Sequence, residues 1–226
     1  MLSAVVTFDV FSALVDSRTG GGRYFQELAA ARSWEASAGQ VYDRWDAINK
    51  ALHGQSGPWR SFPELAEQAL TSTYKEKAIH GDPATDCAGL LASMVDWPLW
   101  PDVTVSALTA IEYPLGLLSN IDDRLLAGTA PLRLGCFDPS LTLTSQQLRT
   151  YKPAAAFYSA AVNRIGPLMH VAASARDVRG ALEADLQCIR LARPGHRLDP
   201  QGPRPPVTID DISQIPEAVM SLAAGR

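Results

Sequence analysis

Asp9 and Lys152 are two charged residues whose positions could allow them to do chemistry together. Asp9 follows an apolar segment at the start of the chain, and Lys152 lies in a Tyr-Lys-Pro sequence at the start of a predicted helix. A carboxylate in this position can act as a nucleophile that forms a covalent ester or acyl phosphate, or it can cap a turn or a helix. A lysine beside it could neutralise the nucleophile and an anionic substrate, or it could be a solvated surface charge.

Two further polar groups follow apolar segments in the same way. Ser119 and Asn120 follow Leu-Gly-Leu-Leu, where their hydroxyl and amide groups could bind the anion of a substrate or form a plain turn. Asp177 follows the apolar segment at 168–173, and it is either an acid in the first turn of a helix or a partner of Lys152. As a partner, Asp177 could orient the lysine ammonium or help to activate water.

These polar groups can meet if the apolar segments before them are strands of one sheet. Apolar runs bounded by turn residues predict strands at 2–10, 115–118, 168–173, 188–191 and 207–209. Strands that are apolar along their length and alternate with helices indicate an α/β fold, with a parallel sheet covered on both faces. Ligands bind beyond the carboxyl ends of such strands, which is where the polar groups lie.

Residues 18–97 have a helical pattern without a strong strand. Apolar residues recur with a spacing near 3.6 over 24–32, 39–52 and 62–77. This predicts an all-helical insert at 18–97 within an α/β core formed by 1–17 and 98–226. Three consecutive glycines at 20–22 predict a flexible hinge into the insert, with anion binding by backbone amides as the alternative.

The composition restricts the partners and the location of the protein. The 226-residue chain has a formal net charge of -4 and a pI near 5.5, which argues against a general nucleic-acid binder. The apolar runs are shorter than the roughly 20 residues of a membrane span, and the first residues lack the basic start of a secretory signal. Three widely spaced cysteines predict neither a disulfide framework nor a zinc site. We therefore expect a cytoplasmic protein that binds a small anionic substrate, without nucleic acid or membrane partners.

The order of the polar groups resembles that of the haloacid dehalogenase superfamily, over roughly residues 4–193. FDVFSALVD is similar to the first motif of the superfamily, GLLSN to the second, YKP to the third and SARDVRGA to the fourth. The resemblance implies a Rossmann-like three-layer core, and it implies that the insert at 18–97 is the helical cap of these enzymes. It also implies a hydrolase with an aspartate nucleophile.

Three features favour the L-2-haloacid dehalogenase branch over the phosphatase branch. Phosphatases have a second Asp two residues after the nucleophile, where this chain has Phe11, and Gly-Asp where it has Ala172 and Ala173. The dehalogenase branch has an aromatic residue at the first of these positions. It also pairs the motif lysine with a tyrosine six residues later, a spacing shared by Lys152 and Tyr158. The resemblance to this branch implies no metal or other cofactor, whereas the phosphatases use magnesium.

The resemblance implies a role for each motif residue. Asp9 would attack the α-carbon of a short 2-haloalkanoate and expel the halide, while Lys152 and Ser119 would hold the substrate carboxylate. Asp177 and Lys152 would support the attack of water on the aspartyl ester, and Tyr158 would orient Lys152. The catalytic residues implied in this way are Asp9, Lys152, Asp177 and Ser119.

Substrate binding would involve the core and the cap together. The resemblance implies a cap arginine near the leaving halide, and Arg44 is the candidate. The alternative is that Arg44 is a solvent-exposed charge on the surface of a helix. Asn120 would share the halide with this arginine. The implied substrate-binding residues are Asn120, Arg44, Phe11, Tyr158 and Ser174.

The chain also departs from the dehalogenase motifs. Ala13 stands where the branch has a threonine, Ala172 where it has a serine, and Ser174 where it has an asparagine. Two alternatives therefore stay open: a magnesium-dependent phosphatase of the same fold, and a catalytically impaired protein that only binds a small anion. Related enzymes often dimerise, so a homodimer is a further expectation.

Overall fold

A six-stranded parallel sheet forms the centre of the computed structural model, which describes residues 5–55 and 57–224. The strands are β1 Val5–Phe8, β2 Leu115–Ser119, β3 Leu143–Thr144, β4 Leu168–Ala172, β5 Gln187–Leu191 and β6 Val207–Ile209. In space they follow the order β3-β2-β1-β4-β5-β6. The first three residues of the strand predicted at 2–10 lie outside the described residues, and Val10 begins a helical turn instead.

β1 is buried between β2 and β4. Val6 pairs with Leu115 on one side and with Met169 on the other. Val5 packs into the hydrophobic cluster on one face of the sheet, whereas Val6 and Phe8 pack into the cluster on the opposite face. Successive side chains of a strand point to opposite faces, so a strand covered on both faces is mostly apolar, as Val5, Val6 and Phe8 are.

The first four α-helices after β1 form the insert. They are α1 Ser17–Arg32, α2 Ala38–His53, α3 Phe62–Glu76 and α4 Pro83–Ser93. Asp16 and Asp82 cap α1 and α4 through their side chains, and Ser61 forms a reciprocal capping box with Glu64 at the start of α3. The four helices confirm the all-helical pattern, while the limits of the cap at 18 and 97 stay a prediction.

The remaining helices connect the strands and cover the sheet. They are α5 Val105–Thr109, α6 Asp123–Ala127, α7 Ala130–Arg133, α8 Ser145–Leu148, α9 Ala155–Ile165, α10 Ala175–Glu183 and α11 Ile215–Ala224. Phe157 of α9 and Val178 of α10 pack with Val5, whereas Val219 of α11 belongs to the cluster that contains Val6. Helices therefore cover both faces, and the predicted three-layer α/β fold is confirmed. Among the described helices, none combines the length and the apolar character needed to cross a membrane.

The glycines at 20–22 lie within α1, so the prediction of a hinge was wrong. A Cβ atom on Gly20 would lie 2.3 Å from Cγ of Trp97, and one on Gly21 would lie 2.4 Å from Cε2 of Tyr42. Around Gly22 there is open space. Glycine is required at the first two positions because α1 packs directly against two aromatic side chains.

Candidate active site

Asp9 lies at the carboxyl end of β1 and is held on both sides. Its backbone N–H donates to the carbonyl of Val171 in β4 at 3.0 Å. Its Oδ2 accepts hydrogen bonds from the backbone N–H of Ser12, at 3.0 Å, and from the Ser12 hydroxyl, so Asp9 caps the π-helical turn Val10–Leu14. Asp9 thus has the capping role given as its alternative, while its carboxylate also lines a cavity.

Lys152 connects β2 with the segments that follow β1 and β4. Its Nζ donates to Oδ1 of Asp9 at 2.7 Å, to Oδ2 of Asp177 at 2.6 Å and to the carbonyl of Leu118 at 2.8 Å. An ammonium group has three hydrogens, and these three acceptors use all of them. Burial alone would lower the pKa of Lys152, but the charges of Asp177 and Asp9 outweigh burial and raise it. The ammonium therefore stays charged.

Asp177 lies in the first turn of α10, and the side chains of Lys152, Tyr158 and His170 contact its carboxylate. The Tyr158 hydroxyl donates to its Oδ1 at 2.8 Å, and Nε2 of His170 lies 3.2 Å from each carboxylate oxygen. Burial alone would raise the pKa of Asp177, but Lys152 and His170 outweigh burial and lower it. Tyr158 binds Asp177 rather than Lys152. Any effect of Tyr158 on the orientation of the lysine therefore passes through this carboxylate.

His170 is a site residue that the motif analysis missed. It is fully buried in β4, and its Nδ1 lies 3.0 Å from the Thr7 hydroxyl of β1. The Thr7 hydroxyl also lies 3.3 Å from the carbonyl of Met169. These contacts join Asp177 to the two central strands through one histidine ring. The available signal in the sequence was a histidine inside an apolar strand.

Asn120 holds the backbone of Lys152 and fixes the ring of His53. The Lys152 N–H donates to Oδ1 of Asn120 at 2.7 Å, and Nδ2 of Asn120 donates to the Lys152 carbonyl at 2.9 Å. The same Nδ2 lies 3.5 Å from Nδ1 of His53. Because Nδ2 can only donate, Nδ1 of His53 is the acceptor in this contact. Burial and the charges of Arg176 and Lys50 lower the pKa of His53 to about 3, so the ring is neutral.

A cavity with a volume of about 110 Å³ lies between these groups and the insert. Asp9, Asn120, Lys152 and Asp177 line it from the core. From the insert, α2 lines it with residues three or four positions apart, as expected for one face of a helix: Tyr42, Trp45, Asp46, Asn49, Lys50 and His53. The other lining residues are Phe11, Ser12, Ser17, Phe62, Met94, Trp97, Ser174 and Arg176. Phe11 and Ser174, which we predicted to bind the substrate, therefore line the cavity.

Arg44 does not lie with the other predicted residues, contrary to expectation. It is next to Trp45 in sequence, and one residue rotates the side chain by about 100° around a helix. Arg44 is consequently exposed, and it forms an ion pair with Glu76 of α3 through contacts of 2.5 and 2.8 Å. This is the solvated helix charge that we gave as its alternative.

Ser119 is also outside the cavity. It is the last residue of β2 and is fully buried. Its hydroxyl has no hydrogen-bond partner in the part of the chain that the structure describes. The predicted contact between Ser119 and the substrate is therefore not available in this arrangement.

Polar residues of α2 and one arginine of α10 complete the cavity, and the motifs did not identify them. Lys50 forms an ion pair with Asp46 at 2.6 Å. Arg176 donates from Nη1 to the carbonyl of Lys50, near the end of α2. The helical spacing from Tyr42 and Trp45 was the signal that could have found the α2 residues.

The charged groups do not form a metal site. In residues 5–55 and 57–224, no group of three or more His, Cys, Asp or Glu side chains is arranged to hold a metal ion. The carboxylate oxygens that magnesium would require are bound instead by Lys152, which lies between Asp9 and Asp177. Phe11 occupies the position where the phosphatase motif has its second Asp. These residues do not fit a magnesium ion.

Similar solved structures cover nearly the whole chain, although the sequence matches no family profile and no curated protein. An L-2-haloacid dehalogenase from Xanthobacter autotrophicus, with chloropropionic acid covalently bound, is 17% identical with a TM-score of 0.80, over 98% of this chain and 100% of that chain. A defluorinating L-2-haloacid dehalogenase is 26% identical with a TM-score of 0.79, over 96% and 95%. A HAD-hydrolase from Bacillus subtilis bound to magnesium is 14% identical with a TM-score of 0.74, over 96% and 98%. At these identities, what the chains share is the fold.

Proposed function

Because the chain has the fold of the haloacid dehalogenase superfamily, we propose that it is a hydrolase that removes the halide from a short 2-haloalkanoate. The L-2-haloacid dehalogenases among the similar structures support this reaction. The observation that carries the proposal is the buried ammonium of Lys152 between Asp9 and Asp177, at the edge of a small cavity. The aromatic side chain of Phe11 beside this group also favours the dehalogenase reaction.

Asp9 is the nucleophile of the first step. One of its carboxylate oxygens forms a bond to C2 of the substrate, while the carbon–halogen bond breaks and the halide leaves with the electron pair. Lys152 and Ser12 each bind one carboxylate oxygen and so hold Asp9 in one orientation. The aromatic walls from Phe11 and Trp97 limit the access of water to the reacting carbon.

Water hydrolyses the aspartyl ester in the second step. It attacks the carbonyl carbon of the ester, the bond from that carbon to the ester oxygen breaks, and a 2-hydroxyalkanoate leaves with this oxygen, which came from Asp9. The Lys152 ammonium, which binds Oδ1 of Asp9, stabilises the negative charge that develops on the carbonyl oxygen. Asp177 is ionised and linked to Asp9 through Lys152, and it accepts the proton of the water.

Halide release with and without Asp9 tests the proposal. We expect release from racemic 2-chloropropionate and 2-bromopropionate without added metal, and a loss to background in Asp9→Asn. Asp43→Asn is the matched control, because Asp43 is a carboxylate in an exposed ion pair with Arg18. Release by Asp9→Asn at the wild-type rate would overturn the mechanism.

A single turnover in water labelled with oxygen-18 tests the covalent step itself. Hydrolysis at the ester carbonyl leaves the label in the Asp9 carboxylate and yields an unlabelled 2-hydroxyalkanoate. Direct attack of water on the substrate would place the label in the product instead. Mass spectrometry of the product and of the peptide that contains Asp9 separates the two routes.

The two alternatives lead to different results in the same assays. The phosphatase would release phosphate from a phosphate ester only with magnesium, although the residues around Asp9 do not fit that ion. A protein impaired by Ala13 and Ala172 would bind a short carboxylate without releasing halide. Binding without turnover would therefore favour that alternative.

A further inference from the structure

The donors predicted to bind the substrate carboxylate are already occupied or enclosed. The three hydrogens of Lys152 are bound by Asp9, Asp177 and the carbonyl of Leu118. Ser119 is fully buried and does not line the cavity. If the proposed function holds, on which this inference rests, the carboxylate must be bound by another group.

Arg176 lines the cavity, and no carboxylate of the described residues forms an ion pair with its guanidinium. Within residues 5–55 and 57–224 it forms no ion pair, whereas Lys50 is paired with Asp46 at 2.6 Å. One N–H group of Arg176 donates to the carbonyl of Lys50. A guanidinium has five N–H donors in a planar fork that matches a carboxylate, so donors remain for a ligand.

The charges around the cavity favour an anion at Arg176. Asp9, Lys152 and Asp177 together carry a formal charge of one negative unit, since they comprise two carboxylates and one ammonium. An anionic substrate that approaches this group needs a positive charge nearby. Arg176 is half-buried, and this burial is the main cause that lowers the pKa of its guanidinium. In such a place a charge-assisted hydrogen bond is stronger than at the surface.

We propose that Arg176 binds the carboxylate of the 2-haloalkanoate and thereby restricts the enzyme to acids. The guanidinium stands one residue before Asp177, on the first turn of α10, and its contact with Lys50 fixes it at the junction of core and insert. The arginine expected on α2 had a different role, near the leaving halide, whereas Arg176 of α10 binds the carboxylate.

Binding of propionate and of propionamide to the wild type and to variants tests this assignment. Neither compound has a leaving group, and the two differ in the charged carboxylate. We expect Arg176→Gln to weaken propionate binding by about 10- to 100-fold and to leave propionamide binding unchanged. Arg176→Lys keeps the charge and should lose less. Arg179→Gln is the matched control, because Arg179 lies on the same helix but is paired with Glu183 and Asp199.

The outcomes separate this inference from the proposed function. Equal loss of propionate and propionamide binding would mean that Arg176 only ties α10 to α2, and it would overturn the proposal. Unchanged propionate binding in Arg176→Gln, or no binding of propionate to the wild type, would overturn it as well. Propionate binding that depends on Arg176, without halide release from 2-chloropropionate, would support the carboxylate site while the dehalogenase reaction fails.

Discussion

At the scale of single residues, the site consists of buried acidic and basic side chains that contact each other directly. Transfer of a carboxylate or an ammonium from water to a protein interior costs several kcal/mol. Lys152 offsets that cost for Asp9 and Asp177 together, and Tyr158 and His170 add hydrogen bonds to Asp177. These contacts hold the Asp9 carboxylate in one orientation, which is what the proposed in-line displacement at carbon requires.

We expect the free energy of unfolding to depend on Asp177 at acid pH. The pKa of Asp177 is lowered in the folded protein, because the charges of Lys152 and His170 outweigh burial, whereas an unfolded Asp has a pKa of about 3.9. A carboxyl group with a lowered folded pKa contributes stability that is fully present above the unfolded value. That contribution is lost as the pH falls through the folded value. The difference in stability between the wild type and Asp177→Asn should therefore be constant near neutrality and shrink below about pH 4.

Urea unfolding at a series of pH values measures this difference directly. Asp43→Asn serves as the control for removal of an exposed carboxylate at a surface ion pair. A difference for Asp177→Asn that grows on acidification would contradict the lowered pKa.

At the scale of the elements, α1 packs closely against Trp97 and Tyr42 because two of its residues are glycines. Gly20→Ala and Gly21→Ala should destabilise the protein, because their Cβ atoms would lie 2.3 Å from Trp97 and 2.4 Å from Tyr42. Gly22→Ala is the matched control in the same helix, with open space at its Cβ position. It should stabilise the protein by up to about 1 kcal/mol, the difference in helix propensity between the two residues.

The first two variants should also reduce activity, since Trp97 and Tyr42 line the cavity and must move. Thermal unfolding and halide release measure the two effects. If the three glycines formed a flexible hinge, none of the three alanine variants would lower the thermal stability of the protein.

The elements also show which features a sequence can reveal. β1, β2 and β4 were predicted because strands covered on both faces are mostly apolar, and Asp9 follows the first of them. β3 was missed because Leu143–Thr144 comprises two residues, too short for any periodic pattern. Arg44 was misplaced because its side chain depends on the rotation of α2, and a shift of one residue turns it from the cavity to solvent. The contacts of Arg176 and His170 depend on tertiary packing, which no local pattern encodes.

At the scale of the whole molecule, the insert and the core share one hydrophobic cluster. Leu70 and Trp45 of the insert belong to the same cluster as Phe8 and Leu117 of the sheet. The cavity lies where the two parts meet, so its geometry depends on both. The cytoplasmic location and the homodimer stay predictions.

Because of this shared cluster, we expect the insert and the core to unfold in a single transition. Leu70→Ala in α3 and Leu117→Ala in β2 each remove a fully buried side chain, and each should lower the free energy of unfolding by about 2–5 kcal/mol. In either variant, hydrogen exchange should accelerate in β1 and in α3 by the same factor, since the slowest amides of both parts exchange through global unfolding. If Leu70→Ala accelerated exchange in α3 and left β1 at the wild-type rate, the insert would open independently of the sheet. The cavity would then be formed by two separate folding units rather than one.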